Sequence, residues 1–287
     1  MAHAGYRTAT SYELRPAGPS DTAAIGALAR EVFGPGPDRD PRAAEHRIAH
    51  VLQGAHPSSA VALDAAGAVI GATITIQRGP LTVLSLAIVH EDWQSRGVGR
   101  ALLGRFPARE PGRNRVIMSS PDPKAMRRYA ALGLHLRPTV SACGILRPRA
   151  VEPVPEAIAI SPREGAQLVD AIAQAEQARG VPYGRDVEMW HAQGDTLHVI
   201  DDRAAVVRGG GVLRIAVARD PEAGRLALRA ALASVPPGET VHLRHLREGQ
   251  DWAIGEMLRA GLALSPEGPL FSDEPLGPLH LPTGTVF

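Results

Sequence analysis

Apolar residues recur along the chain with two alternating periods, and these predict the elements. Tyr12-Glu13-Leu14-Arg15 reads as a short strand. Gly18-Pro19-Ser20-Asp21 then supplies turn and N-cap chemistry, and Ile25, Leu28, Ala29, Val32 and Phe33 follow at helical spacing. Gly34-Pro35-Gly36-Pro37 ends that helix. A second is predicted from Pro41 to Gln53, with Ala44, Ile48, Val51 and Leu52 inward. The period then becomes two. Strands at Ala60 to Leu63 and Val69 to Gln77 flank the hairpin turn Asp64-Ala65-Ala66-Gly67. Val69, Gly71, Thr73 and Thr75 alternate with Ile70, Ala72, Ile74 and Ile76, which predicts one buried face. Leu81 to Val89 is apolar enough for a central strand. A glycine loop, a helix from Val98 to Phe106, a strand at Val116-Ile117-Met118, a helix from Pro123 to Leu132 and a strand from Leu134 to Leu146 complete the first half.

Residues 148–155, Pro148 to Pro155, hold three prolines in eight positions and read as a linker. Beyond it the order repeats in part. Helices are predicted at Pro162 to Arg179, Asp186 to Ala192, Pro221 to Ala233 and Asp251 to Ala260. Strands are predicted at Leu197 to Ile200, Ala204 to Val207, Leu213 to Val217, Val241 to Leu243, Leu262 to Leu264 and Leu270-Phe271. Gly209-Gly210-Gly211 lies between two apolar strands and reads as a hairpin turn. Leu279 to Phe287 is apolar and stiffened by Pro282, so this tail is expected to dock. The first half runs β-α-α-β-β-β-α-β-α-β. That order is mixed α/β of the α+β type and disfavours a doubly wound nucleotide-binding sheet.

Composition narrows the classes. The chain has 287 residues, 44% hydrophobic and 21% charged, which fits two globular domains rather than a disordered segment. The formal net charge of +1 gives no field to recruit nucleic acid or an anionic membrane. Lys124 is the lone lysine, an arginine bias without mechanistic weight. One cysteine, Cys143, excludes an intrachain disulfide and a cysteine metal cluster, and fits a reducing cytoplasm. Its apolar flanks suit a buried small side chain better than a reactive thiol. Met1 to Thr10 has no signal-peptide core, and no run of 18 apolar residues is present to span a membrane.

The chemistry gathers in one stretch, Leu86 to Leu103. It passes from a buried strand through Gln94-Ser95-Arg96-Gly97-Val98-Gly99 into an apolar helix. Free N–H groups at a helix start bind anions, glycines allow close approach, and Arg96 and Arg100 add charge. No phosphate-loop G-x-x-x-x-G-K-[ST] is present, and Leu102 stands where the dinucleotide fingerprint requires its last glycine. A tight strand-to-helix turn without a ligand is the competing reading.

Gln94, Gly97 and Gly99 fill the Q/R-x-x-G-x-G/A signature that follows the central strand in the GNAT superfamily of N-acetyltransferases, which residues 12–147 resemble. Ala125-Met126-Arg127-Arg128-Tyr129-Ala130-Ala131-Leu132-Gly133-Leu134 resembles the family's second signature, with Leu134 where phenylalanine is usual. The resemblance implies an N-acyltransferase with acetyl-CoA as co-substrate and no metal. It would move an acetyl group to a primary amine of a small molecule or peptide, in a monomer or homodimer. Backbone groups of Ile88 and Val89 would pair with the pantetheine arm. N–H groups of Gln94, Ser95, Arg96, Gly97, Val98, Gly99 and Arg100 would hold the pyrophosphate. Tyr129 would protonate the leaving thiolate, although a core tyrosine on a helix face explains it too. His90, Glu91 and Asp92 follow the central strand as base candidates, with the family's usual proline replaced by Glu91; a water chain competes with them.

The second half lacks these features. Asp220 and Glu222 stand where phosphate would bind, Pro221 removes an N–H, and Leu258 takes the tyrosine's place. The expectation is two GNAT-like domains, residues 1–147 binding acyl-CoA and residues 156–287 degenerate, shaping the acceptor cleft or serving structure. The alternative is a regulatory protein that binds acyl-CoA without turnover.

Overall fold

The computed structural model describes residues 11–34, 43–146, 151, 154, 162–175 and 183–282. In chain order the elements are β1 (Glu13–Pro16), α1 (Thr22–Phe33), α2 (Ala43–Gln53), β2 (Ala60–Leu63), β3 (Val69–Arg78), β4 (Leu81–Val89), α3 (Val98–Leu103), β5 (Asn114–Met118), α4 (Pro123–Ala131) and β6 (His135–Ile145). They continue as α5 (Pro162–Ala175), α6 (Gly184–Ala192), β7 (Thr196–Ile200), β8 (Ala204–Gly209), β9 (Val212–Ala218), α7 (Pro221–Ala233), β10 (Thr240–Leu246), α8 (Asp251–Arg259), β11 (Ala263–Ser272) and β12 (His280–Pro282). The class is mixed α/β, with strand pairs mostly antiparallel and helices flanking them. The chain forms two compact units, neither a continuous stretch: Met1–Thr75 with Leu86–Pro107, and Ile76–Ser85 with Ala108–Phe287. Most of the proline-rich segment at 148–155 lies outside the described residues.

In the first unit β1 pairs antiparallel with β2, and β2 with β3. Arg15 grips the buried Asp21 through two hydrogen bonds, at 2.6 and 2.9 Å, tying the end of β1 to the start of α1. Asp21 does not cap α1 with its side chain, as the sequence suggested. It accepts from the Gly18 N–H at 2.9 Å and closes the tight turn before the helix. β3 is buried on the expected face and on the other face as well, Ile70 through Ile76 all being buried. The reason is α3, which covers the face carrying Gly71. A β-carbon at Gly71 would stand 3.0 Å from Leu102 Cδ1 and 3.2 Å from Val98 Cγ1. The missing side chain is therefore what lets α3 sit close on the strand.

In the second unit the strand order is β4-β5-β11-β6-β10-β9-β8-β7, with β12 added on β9. β4–β5 and β9–β10 are parallel; the remaining pairs are antiparallel. Two short strands were expected near Leu262 and Leu270; one ten-residue strand stands there instead. Pro266, Gly268 and Pro269 look like breakers, but the sheet absorbs them as an irregularity between Glu267 and Leu270. β11 lies between β5 and β6, and a buried ion pair holds it. Arg115 Nε and Nη2 reach the two Asp273 oxygens at 3.0 and 2.8 Å, and the Arg115 N–H donates to Asp273 at 3.0 Å. Another buried pair, Arg78–Asp186 at 2.6 Å, ties the hairpin between β3 and β4 to α6. The main core packs α7 and α8 on the sheet through Leu228, Ala231, Trp252, Met257, Leu213 and Leu243. The three-glycine segment is a hairpin turn between β8 and β9, with Gly210 at φ 54°.

Candidate functional site

The strand-to-helix segment of the first unit is built on an apolar base. Val98 and Leu102 of α3 pack with Ala60, Ala62 and Ile70, and Tyr12, Leu14, Val89 and Trp93 border that cluster. After β4 the chain makes a tight turn over Glu91–Trp93. Its backbone then becomes left-handed at Ser95, φ 61°, and at Gly97, φ 91°. A left-handed serine is strained, and such strain gathers where a ligand is handled. Helix α3 begins at Val98, and its first bond runs from the Ala101 N–H to the Gly97 carbonyl at 3.0 Å. α3 stops at Leu103, short of the expected Phe106, and the chain continues in tight turns.

The backbone N–H groups of Ser95, Arg96, Gly97, Val98, Gly99 and Arg100 donate to no partner among the described residues. Left-handed turns among right-handed ones aim successive N–H groups into one concavity, which suits an anion. Gln94 is the exception within the segment. Its N–H donates to the Glu91 carbonyl at 3.1 Å, and its side-chain amide to the Val89 carbonyl at 3.4 Å. The Arg96 guanidinium lies over the Trp93 ring, 5.5 Å from its centroid, and Arg100 is exposed.

Val89 and Ile88 differ. The Ile88 carbonyl faces Gly71, 3.2 Å from where its β-carbon would be, whereas Val89 meets Gln94. The β4–β5 ladder runs from Leu81–Asn114 to Leu84–Ile117 and stops there.

The base candidates also separate. His90 Nδ1 accepts from the Asp92 N–H at 3.2 Å, so its proton sits on Nε2, which lies 2.9 Å from Glu31 Oε1. Both ring nitrogens are thereby engaged in holding the turn and α1 together. Glu91 is exposed and makes no ion pair among the described residues. Asp92 is exposed as well, 3.9 Å from His90.

Tyr129 belongs to the second unit. Asp122 caps its helix, α4, by accepting from the Lys124 N–H at 2.9 Å. The Tyr129 side chain is buried, 7% exposed, and its ring meets Phe271 edge-on at 5.7 Å. Its hydroxyl makes no hydrogen bond among the described residues. Burial pushes the phenol up to about 12; Arg128 pulls it down less. Such a phenol keeps its proton at neutral pH.

No family model and no curated protein matches the sequence. Solved structures do resemble it. A provisionally named acetyltransferase from Pyrococcus horikoshii gives a TM-score of 0.72 over 96% of this chain and 95% of its own, at 14% identity. A tandem GNAT protein from the clavulanic acid biosynthesis pathway, solved without acetyl-CoA, gives 0.59 over 93% of this chain and 100% of its own, at 18% identity. The chain has a tandem GNAT fold. A GCN5-related N-acetyltransferase from Sphaerobacter thermophilus gives 0.57 over 91% of this chain and 95% of its own, at 15% identity.

The second half of the tandem GNAT fold repeats the strand-to-helix unit with β9, α7 and β10, and fills it with its own groups. Asp220 Oδ1 accepts from the Ala223 N–H at 2.9 Å at the start of α7, while Arg203 Nη2 donates to Asp220 Oδ2 at 2.7 Å. The Ala223 bond foremost, with help from Arg203, holds this carboxyl below its ordinary range, so the helix start already carries an anion. β9 and β10 pair only at Val212–His242. β8 occupies the other edge of β9, so β12 takes this one, pairing His280, Leu281 and Pro282 with Val217, Ala216 and Ile215. The expected docking of the tail is thus seen as far as Pro282; residues 283–287 lie outside the described residues. Leu258 is exposed on α8. Sequence reading marked Asp220 as a repulsive charge but missed that it caps the helix, which Asp-Pro at a helix start could have signalled.

Proposed function

We propose that the protein is an N-acyltransferase that moves an acetyl group from acetyl-CoA to a primary amine of a small molecule or peptide. The observation that carries this reading is the run of six N–H groups from Ser95 to Arg100, unpaired among the described residues, around a left-handed glycine. A pyrophosphate fits it chemically: donors converge, Gly97 offers no side chain, and Arg96 and Arg100 bring charge. Gln94 braces the loop through Val89. The pantetheine arm would add to β4 past Leu84, and Val89 suits that pairing better than Ile88, whose carbonyl faces Gly71. The fold supports acyl transfer in general; the donor, the acceptor and the residue roles belong to this proposal.

The amine attacks the thioester carbonyl directly, and the tetrahedral oxyanion collapses with release of thiolate. Tyr129 supplies the proton to that sulfur. Among the base candidates Glu91 is preferred to His90, because His90 would have to break its bond to Asp92 or Glu31 before accepting a proton. Residues from 156 onward supply no cofactor chemistry and shape the acceptor cleft or the scaffold. No observation favours a regulatory protein without turnover.

The test is thiol release from acetyl-CoA across a panel of amines, aminoglycosides and peptides. At least one primary amine should give release above hydrolysis together with an N-acetyl product by mass. Binding of CoA with no product from any amine would favour the regulatory alternative.

A further inference from the structure

Tyr12 has no role in the reading above, yet it stands at the loop. β1, which follows it, is fixed by its antiparallel register on β2, Glu13 opposite Leu63. The Tyr12 ring is partly buried against the cluster of Ala60, Ala62, Ile70, Val98 and Leu102 that supports α3. A tyrosine seated this way has a fixed apolar body and a polar tip. That tip points at the loop. A β-carbon built on Gly97 would stand 3.6 Å from Tyr12 Oη. The hydroxyl makes no hydrogen bond among the described residues.

We propose that the Tyr12 hydroxyl is a phosphate ligand, donating to a pyrophosphate oxygen of CoA held in front of Gly97. This rests on the assignment of the Gln94–Arg100 loop to CoA. Gly97 has no β-carbon, so an oxygen lying against it enters the space that atom would fill. From there it needs under about 1 Å to reach hydrogen-bond distance of the phenol oxygen. The six N–H groups approach the anion from the backbone side, and Tyr12 adds a donor from β1. The ring's packing fixes this donor before binding, so little side-chain freedom is lost. Tyr12 contributes affinity for the nucleotide end of the donor and nothing to acyl transfer.

The test uses the full chain with Tyr12→Phe, which keeps the ring and its packing. Affinities for CoA and for pantetheine are measured by calorimetry, the second by displacement; pantetheine has the arm and thiol but no pyrophosphate. A hydrogen bond to a charged group predicts a rise in Kd for CoA of about 10- to 100-fold, with the Kd for pantetheine unchanged. An unchanged Kd for CoA overturns the proposal, as does an equal rise for both ligands, which would make Tyr12 a packing residue. Gly97→Glu is run beside it. If Gly97→Glu loses CoA while Tyr12→Phe does not, Tyr12 is no ligand and the loop assignment stands. If neither variant loses CoA, the loop assignment itself fails.

Discussion

Tyr129→Phe should lower kcat by about 10²–10⁴-fold, the usual contribution of a general acid, with the Kd for acetyl-CoA within about twofold of the parent. Only the hydroxyl is removed. It bonds to nothing among the described residues, and the ring that packs on Phe271 remains, so stability should hardly change. The raised phenol at about 12 also shapes the chemistry. With a thiol near ~8.5, complete proton transfer in the free site would be uphill by about 5 kcal/mol. Tyr129 is then expected to stabilise the departing sulfur by hydrogen bonding, with the proton passing late. It also stays protonated up to about pH 11, so any alkaline limb of kcat below that belongs to another group. An unchanged kcat, with chemistry shown to be limiting, would make Tyr129 a packing residue.

Asp273→Ala should destabilise the chain by about 3–5 kcal/mol, read by urea unfolding at neutral pH. The carboxylate is almost fully buried, 2% exposed at its side chain against 7% for Arg115. Burial alone would raise its pKa. The Arg115 side chain and N–H outweigh that and hold the carboxyl below its ordinary range. Removing it takes the paired carboxylate away from a buried guanidinium, whose Nη2 also donates to the Leu132 carbonyl at 3.2 Å. It also loosens β11 from β5. Because the folded pKa is depressed, this stabilisation is present above the unfolded value near ~3.9 and lost as pH falls through the folded one. A loss under about 1 kcal/mol would mean that the pair only offsets its own desolvation.

Elements whose periodicity and ends agree were legible residue by residue. β2 sits between Ser59 and Asp64, and α7 starts at Asp220-Pro221 and stops after Ala233, as read from the sequence. Pairing was not legible, because a strand's pattern says which face is buried and nothing about its neighbour. The insertion of β11 between β5 and β6 is therefore absent from the sequence reading. So is the partner of Asp273, which lies 158 positions earlier in the chain. The left-handed backbone of the loop from Gln94 to Gly99 was legible at Gly97, because glycine spacing encodes local backbone. His90 was not, since Glu31, which claims its Nε2, is remote in sequence. Tyr12 carried only the signal of a short strand; its nearness to Gly97 comes from tertiary packing.

One loop, Gln94–Arg100, is proposed to hold the cofactor, and the second half to hold none. Calorimetry of acetyl-CoA binding to the full chain, repeated with Gly97→Glu, tests it most directly. One site per chain is expected, lost or weakened by about a hundredfold when a carboxylate enters the phosphate nest. The second-half unit is expected to stay silent, because Asp220 caps its helix and β12 lies along its strand edge. Two equivalent sites per chain, or a single site indifferent to Gly97→Glu, would overturn the assignment of this loop.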